Sequence, residues 1–323
     1  MFLDQRELRR RLVLRLKGVE AGQALIGPAQ VVLFLTNRCN LACKFCQFHA
    51  PGSAQSPSGT IHLPLDRFAK VVHDCIDLQV DKIFLSGDGE PTLNPHFYTM
   101  LRYLQQCPMS VVFFSNGTFP LGRCRDILMA DGIIINLGEG GRTPYQELTG
   151  NGPFLRVIKN IRELARLRPQ FNPDFRIEVV FVETSLNAKG FLRTEKLAFK
   201  LGADFVRKAA FKVSKHNQHI KLHAENTVVD KWSPCYHGWF DSAIRLNGDV
   251  KVCCYTDELT IGNAYETSFK DVWESEAYLR VRISALTGDT FRDFHTCRNC
   301  LLIRRNKKIA AQMKIYHGVR TPI

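Results

Sequence analysis

Nowhere in the 323-residue chain does an apolar run reach the length needed to cross a bilayer, so no membrane role is expected. The opening stretch MFLDQRELRRRLVLRLKG lacks the uninterrupted apolar centre of a signal peptide. It mixes charge and apolar residues at helical spacing, and the chain reads as cytoplasmic. Acidic residues are in short supply: 31 Asp and Glu against 44 Lys and Arg leave a formal net charge of +13, which favours a negatively charged partner through the long-range field. No nucleic-acid motif accompanies that charge, and the basic segments, the first twenty residues and CLLIRRNKKIAAQMKIYHGVR, read as amphipathic helices with solvated faces. An anionic substrate is expected rather than nucleic acid. There is no long internal repeat, and the one biased stretch, APGSAQSPSG at residues 50–59, reads as a loop. Eleven cysteines are too sparse for a secreted disulfide scaffold, and their clustering points elsewhere.

From QVVLFLTN onward, short β-branched runs alternate with helical patterns: KIFLSG, SVVFFSNG, GIIINLG, FRIEVVFVET and FVRKAAF between LPLDRFAKVVHDCIDLQ, PHFYTMLRYLQQC, GRCRDILMA, FLRVIKNIRELARL and LRTEKLAFKLG. This alternation predicts βαβ crossovers and a parallel sheet, an α/β fold of six strands curled into an incomplete barrel, with chemistry on loops at the strands' carboxyl ends. Three parts are expected: an N-terminal helix over 1–29, the barrel over 30–224, and a separate cysteine-bearing module over 225–323. In that module the Asn247-Gly248 pair predicts a hairpin, a helix begins near Ser268, and a basic helix ends the chain. With about thirty residues ahead of the barrel, no leader-binding domain is expected there.

TNRCNLACKFC sets Cys39, Cys43 and Cys46 at Cys-x3-Cys-x2-Cys directly after a strand. Three thiolates at this spacing can bind three irons of a four-iron cluster and leave the fourth open for chemistry. The alternative is zinc, which needs a fourth ligand such as His49. Cys75, Cys107 and Cys124, lying singly, read as buried thiols. A second group, Cys235, Cys253, Cys254, Cys297 and Cys300, lies near the end.

The triad spacing resembles that of the radical S-adenosylmethionine (SAM) superfamily, in which the cofactor's amino and carboxylate groups bind the open iron. SGDGEPTL resembles the superfamily's GGEP segment, which implies that Gly87, Asp88, Gly89 and Glu90 bind the cofactor; glycine allows close backbone approach and Glu90 supplies an anion for the ammonium group. FFSNG resembles the segment near the ribose and makes Ser115 and Asn116 candidates, with turn formation as the alternative. After the next strand, Glu139 is expected to point into the barrel mouth and bind substrate or cofactor, and Arg142 to hold a carboxylate. Many relatives have Arg-Gly where this chain has Thr149-Gly150, so that arginine contact does not carry over.

Cys235, Cys253 and Cys297-x2-Cys300, with IGNAYETSFKDVW between them, resemble the shortened SPASM module called twitch, which implies one auxiliary four-iron cluster held by these four cysteines. No cysteine follows Cys300, so a second auxiliary cluster is not expected. If Cys253 faces the cluster from a strand, Cys254 faces the other way: the functional reading makes Cys254 a hydrogen-atom donor, and the alternative is a buried thiol. Twitch relatives include carbohydrate epimerases and alcohol dehydrogenases. The Cys253-Cys254 pair tips the reading toward epimerisation of a carbohydrate-type substrate, with alcohol oxidation through the auxiliary cluster and peptide modification as alternatives. The positive charge suits an acidic electron donor such as a flavodoxin or ferredoxin.

Overall fold

Six short apolar strands supply the frame on which the cysteines are hung. They are β1 (Gln30–Phe34), β2 (Lys82–Ser86), β3 (Ser110–Ser115), β4 (Gly132–Asn136), β5 (Arg176–Val182) and β6 (Phe205–Ala209). Each pairs in parallel with the next. The computed structural model of the chain describes residues 4–209, 234–256, 258–288, 294, 297, 300 and 302–320. The expected domain boundary at 224/225 lies outside the described residues.

Helices fill the crossovers: α2 (Leu65–Asp77), α3 (Phe97–Gln105), α4 (Cys124–Ile127), α5 (Arg142–Thr149), α6 (Phe154–Phe171) and α7 (Phe191–Lys200), with α1 (Gln5–Ala21) ahead of β1. Their apolar stripes explain their place. In α2 the buried residues Phe68, Val71, Val72 and Cys75 recur every three or four positions, and in α6 Val157, Ile161, Leu164 and Leu167 do the same. These stripes meet the outward residues of the strands, Val31, Leu33, Ile83, Leu85, Val111, Phe113, Ile133, Ile135, Ile177 and Val179, in one core. Because strand side chains alternate, Val32, Phe34, Phe84, Phe114, Ile134 and Val180 face the opposite, inner side. Helix α5 was not anticipated from the sequence; flanking glycines and Pro144 hide its two turns.

The sheet does not stop at β1. Strand β7 (Asp241–Ile244) pairs in parallel with the free side of β1, and β8 (Asp249–Lys251) and β9 (Gly262–Asn263) follow antiparallel, giving the order β6-β5-β4-β3-β2-β1-β7-β8-β9. This is the incomplete α/β barrel predicted, but the C-terminal hairpin extends its sheet instead of standing apart. The hairpin turns at Gly248, whose φ of 91° lies where glycine is favoured. After it come α9 (Phe269–Glu274), capped by Ser268, and α10 (Glu276–Thr287), capped by Ser275. A short helix α8 (His237–Phe240) precedes β7, and α11 (Ile303–Arg320) packs Ile309 and Met313 on Leu16, Val19, Trp239 and Phe240.

The basic N-terminal helix departs from the expected solvated face. Arg11 and Arg15 are buried, and Arg15 grips Asp81 at 2.5 Å and the carbonyls of Gly27 and Pro28 at 2.9 and 3.1 Å. Part of the positive charge is thus internal scaffolding at the start of β2. Of the single cysteines, Cys75 and Cys124 are buried as expected, whereas Cys107 is half-buried.

Candidate active site

Beyond β1 the chain runs straight into the cysteine loop, and α5 holds that loop in place. Ala42 N donates to Thr149 O at 3.2 Å and Lys44 N to Leu148 O at 2.9 Å, while Phe45 and Cys43 pack on Leu148 and Val182. Thr149-Gly150, the pair that lacks the relatives' arginine, therefore braces the loop: a side chain at Gly150 would press on Ala42. Cys39, Cys43 and Cys46 are each half-buried free thiols. Burial pushes Cys39 up to about 11 and raises Cys43 and Cys46 as well, with charge on Cys46 adding to it at Cys39 and Cys43. Thiolates so placed need a cation to stabilise them. Among the described residues no three His, Cys, Asp or Glu side chains form a group that could hold a single metal ion, as the zinc alternative requires. His49, the zinc alternative's fourth ligand, instead has its Nε2 bonded to Asp88 O at 3.0 Å and its backbone N–H on Cys46 Sγ at 3.3 Å. The all-thiol donor set fits the iron of a cluster.

The glycines of the GDGE segment serve a close approach, but to this chain's own backbone. A Cβ at Gly87 would strike the Thr36 carbonyl and one at Gly89 the Arg38 peptide. With no side chain there, Gly89 N reaches Thr36 O at 3.1 Å and Glu90 N reaches Arg38 O at 2.8 Å, locking the segment to the entry of the cysteine loop. Glu90 is buried and accepts from Thr92 N at 3.2 Å, Thr92 Oγ1 at 2.7 Å, Ser115 Oγ at 2.9 Å and Asn116 N at 2.6 Å. Desolvation still raises its pKa. Glu90 and Ser115 thus tie the β2 and β3 ends together. Asn116 Nδ2 continues the chain of contacts to Asn40 Oδ1 at 2.9 Å and Cys39 Sγ at 3.9 Å.

Glu139 follows the carboxyl end of β4, and its carboxylate is already engaged. It is buried, paired with Arg193 at 2.6 Å and cradled by Gly190, where any side chain would collide with its carboxylate. Arg142 is exposed at the start of α5.

In the C-terminal module burial raises the thiols of Cys235, Cys253, Cys297 and Cys300, and charge on Cys253 adds to the rise at the other three. Cys235 N bonds Ala285 O at 2.9 Å, and Cys253 Sγ lies 2.8 Å from Thr256 Oγ1. Cys253 and Cys254 lie in a turn after β8 ends at Lys251, so strand alternation does not separate them. Their surroundings do differ: Cys254 packs with Val32, Phe34, Ala243, Phe84 and Leu246, on the inner wall of the sheet. Burial pushes its thiol up to about 12. Arg245, which sequence reasoning passed over, links the parts. Its Nη2 donates to Cys254 O at 3.2 Å, its Nη1 lies 3.4 Å from Asp88 Oδ1, and its guanidinium covers the Phe34 ring at 4.3 Å.

Strand-end cysteines, a glycine-locked acidic segment and a second cysteine module on one mixed sheet fit a cluster-bearing SAM enzyme. The radical SAM superfamily pattern matches residues 33–173 and the SPASM iron–sulfur cluster-binding domain matches residues 235–301. The chain belongs to the radical SAM superfamily and carries a SPASM module; its cofactors are SAM, a four-iron cluster and auxiliary iron–sulfur chemistry. It is 28% identical over 131 residues to a probable GTP 3',8-cyclase of Halobacterium salinarum, covering 39% of this chain and 36% of that one, so it spans about a third of that relative. It is 24% identical over 331 residues to a tungsten-containing aldehyde ferredoxin oxidoreductase cofactor-modifying protein of Pyrococcus furiosus, covering 84% and 86%. SuiB of Streptococcus suis shares the fold, with a TM-score of 0.65 at 16% identity over 88% of this chain and 74% of that one.

Proposed function

We propose that the chain removes a hydrogen atom from a carbon centre of a carbohydrate-type, anionic substrate and returns one from Cys254 to the opposite face, an epimerisation. The observation that carries this reading is the seat of Cys254: its side chain is on the inner wall with Phe34 and Phe84, and its carbonyl is held by the arginine that also reaches Asp88. In this reading Cys39, Cys43 and Cys46 hold the catalytic cluster. Gly87, Asp88, Gly89, Glu90, Ser115 and Asn116 frame the SAM site, and Cys235, Cys253, Cys297 and Cys300 hold one auxiliary four-iron cluster in a twitch-type module.

When bound, the cluster and SAM supply the carbon radical that abstracts the substrate hydrogen. The protein decides what happens next. Phe84 and Phe114, edge to face at 5.4 Å, give the inner wall an aromatic surface for the C–H face of a sugar ring. Arg207, half-exposed on β6 and paired with Glu178 at 2.6 Å, offers a cation for an anionic group. Donation from the Cys254 S–H completes the product and leaves a sulfur radical. One electron and one proton restore the thiol, the electron coming from an acidic carrier of the flavodoxin or ferredoxin kind drawn to the basic surface.

Turnover in deuterium oxide tests this, because a thiol exchanges its hydrogen with solvent. One deuterium is expected at the inverted carbon with the substrate's oxidation state unchanged, and Cys254→Ala should abolish the epimer. A wild-type product two hydrogens lighter, unaffected by Cys254→Ala, would instead establish the dehydrogenase alternative, with the electron leaving through the auxiliary cluster beside Cys253.

A further inference from the structure

A cavity of about 540 Å³ opens at the amino ends of β1–β4, away from the cysteine loop at the carboxyl end of β1. Strand length alone puts roughly 17 Å between the two ends of a five-residue strand. The cavity's polar wall is set by register. Gln30, Lys82 and Ser110, the first residues of three adjacent strands, stand directly opposite one another and so share one face. Asp81, Asp131 and, from the C-terminal helix α11, Arg305 complete the charged lining.

The acidic groups around it are already engaged. Asp81 accepts from Arg15 at 2.5 and 3.2 Å and from Arg11 at 3.3 Å; Asp131 accepts from Val111 N at 2.5 Å. Asp241, opposite Gln30, is held by His237 at 2.5 Å and Arg305 at 2.6 Å. Lys82 differs: among the described residues its ammonium has no hydrogen-bond or ion-pair partner, although it is half-buried beside these groups. The lining itself carries two cations, Lys82 and Arg305, and two carboxylates, Asp81 and Asp131, and both carboxylates already accept hydrogen bonds from elsewhere in the chain. Burial lowers the Lys82 pKa, which an anion in contact with it would reverse. Leu8, Met109 and Met129 give the same cavity an apolar side. A pocket of this size, mostly ordinary in its walls with one unsatisfied cation, is the usual form of a small-molecule site.

We propose that this cavity binds a small metabolite bearing an oxyanion, phosphate or carboxylate, held by Lys82 with Arg305 beside it, separate from the radical chemistry. The contact is a charge-assisted hydrogen bond, whose loss weakens binding by about tenfold or more.

Calorimetric titration of the full, cluster-loaded chain with inorganic phosphate and, separately, acetate tests it, in chloride medium of matched ionic strength. Saturable binding of at least one probe is expected, weakened about tenfold or more by Lys82→Met, less by Arg305→Gln, and largely retained by Lys82→Arg. Saturation by phosphate alone identifies a phosphate ligand, and by acetate alone a carboxylate. Should Lys82→Met fail to fold, the more exposed Arg305→Gln carries the comparison. No saturable binding of either probe, or binding unchanged in the folded variants, overturns the proposal.

Discussion

Arg245 Nη1 lies 3.4 Å from Asp88 Oδ1, joining the hairpin after β7 to the glycine-rich segment after β2, 157 residues earlier in the chain. Both side chains are largely shielded from solvent, and the same guanidinium holds the Cys254 carbonyl. Arg245 is therefore a positioning residue that sets the Cys254 turn relative to the GDGE segment. Arg245→Ala is expected to lower stability by about 1–2 kcal/mol, the range for a long ion pair plus one charged hydrogen bond. It should also lower the deuterium returned per 5'-deoxyadenosine formed, with Arg245→Lys intermediate. An unchanged ratio with lowered stability would leave Arg245 a purely structural residue.

Gly89 has no room for a methyl group, because the neighbour it would strike is the Arg38 peptide and not a yielding side chain. Gly89→Ala should therefore push the GDGE segment off the entry of the cysteine loop, at about 1–3 kcal/mol. Iron retained after anaerobic reconstitution should fall with it. Gly122→Ala, where a Cβ meets nothing within 4 Å, is the control and should change stability by no more than about 0.5 kcal/mol.

Glu90 accepts four hydrogen bonds from Thr92, Ser115 and Asn116. Glu90→Ala strands all of those donors in a buried place, and a loss of about 3–5 kcal/mol is expected in urea unfolding. Ser115→Ala removes one donor and frees the Gly117 N–H that Ser115 accepts at 2.9 Å, for about 1–3 kcal/mol. The double variant should lose less than the sum, because the two share one hydrogen bond; strict additivity would show that they act independently.

What could be read beforehand follows from range in the sequence. The six barrel strands, the crossover helices other than α5 and the spacing of both cysteine groups are written locally, and so is the Asn247-Gly248 turn, so these were legible. The misreadings are pairings between distant positions. Glu139 looked free for a ligand because Arg193 lies 54 residues away; Arg11 and Arg15 looked solvated because Asp81 lies 70 and 66 residues away. The glycines of GDGE announced a close approach, but not that the approaching atoms were those of Thr36 and Arg38. Arg245 carried no signal at all, since an arginine before a turn is ordinary until its two partners are known.

The cysteine assignment itself is tested by counting iron. Cys39, Cys43 and Cys46 share one loop braced by α5, while Cys235 and Cys253 are anchored separately at Ala285 and Thr256, so losing one set should not dismantle the other. The reconstituted wild type is expected to hold about eight irons, four at each site. Replacing the triad with alanine should leave about four and eliminate reductive cleavage of SAM. Replacing Cys235, Cys253, Cys297 and Cys300 should also leave about four, with cleavage retained but product formation reduced. The two sets of spectra should add to that of the wild type. Zinc in place of iron at the second set, or SAM cleavage surviving loss of the triad, would show that the ligands are wrongly assigned.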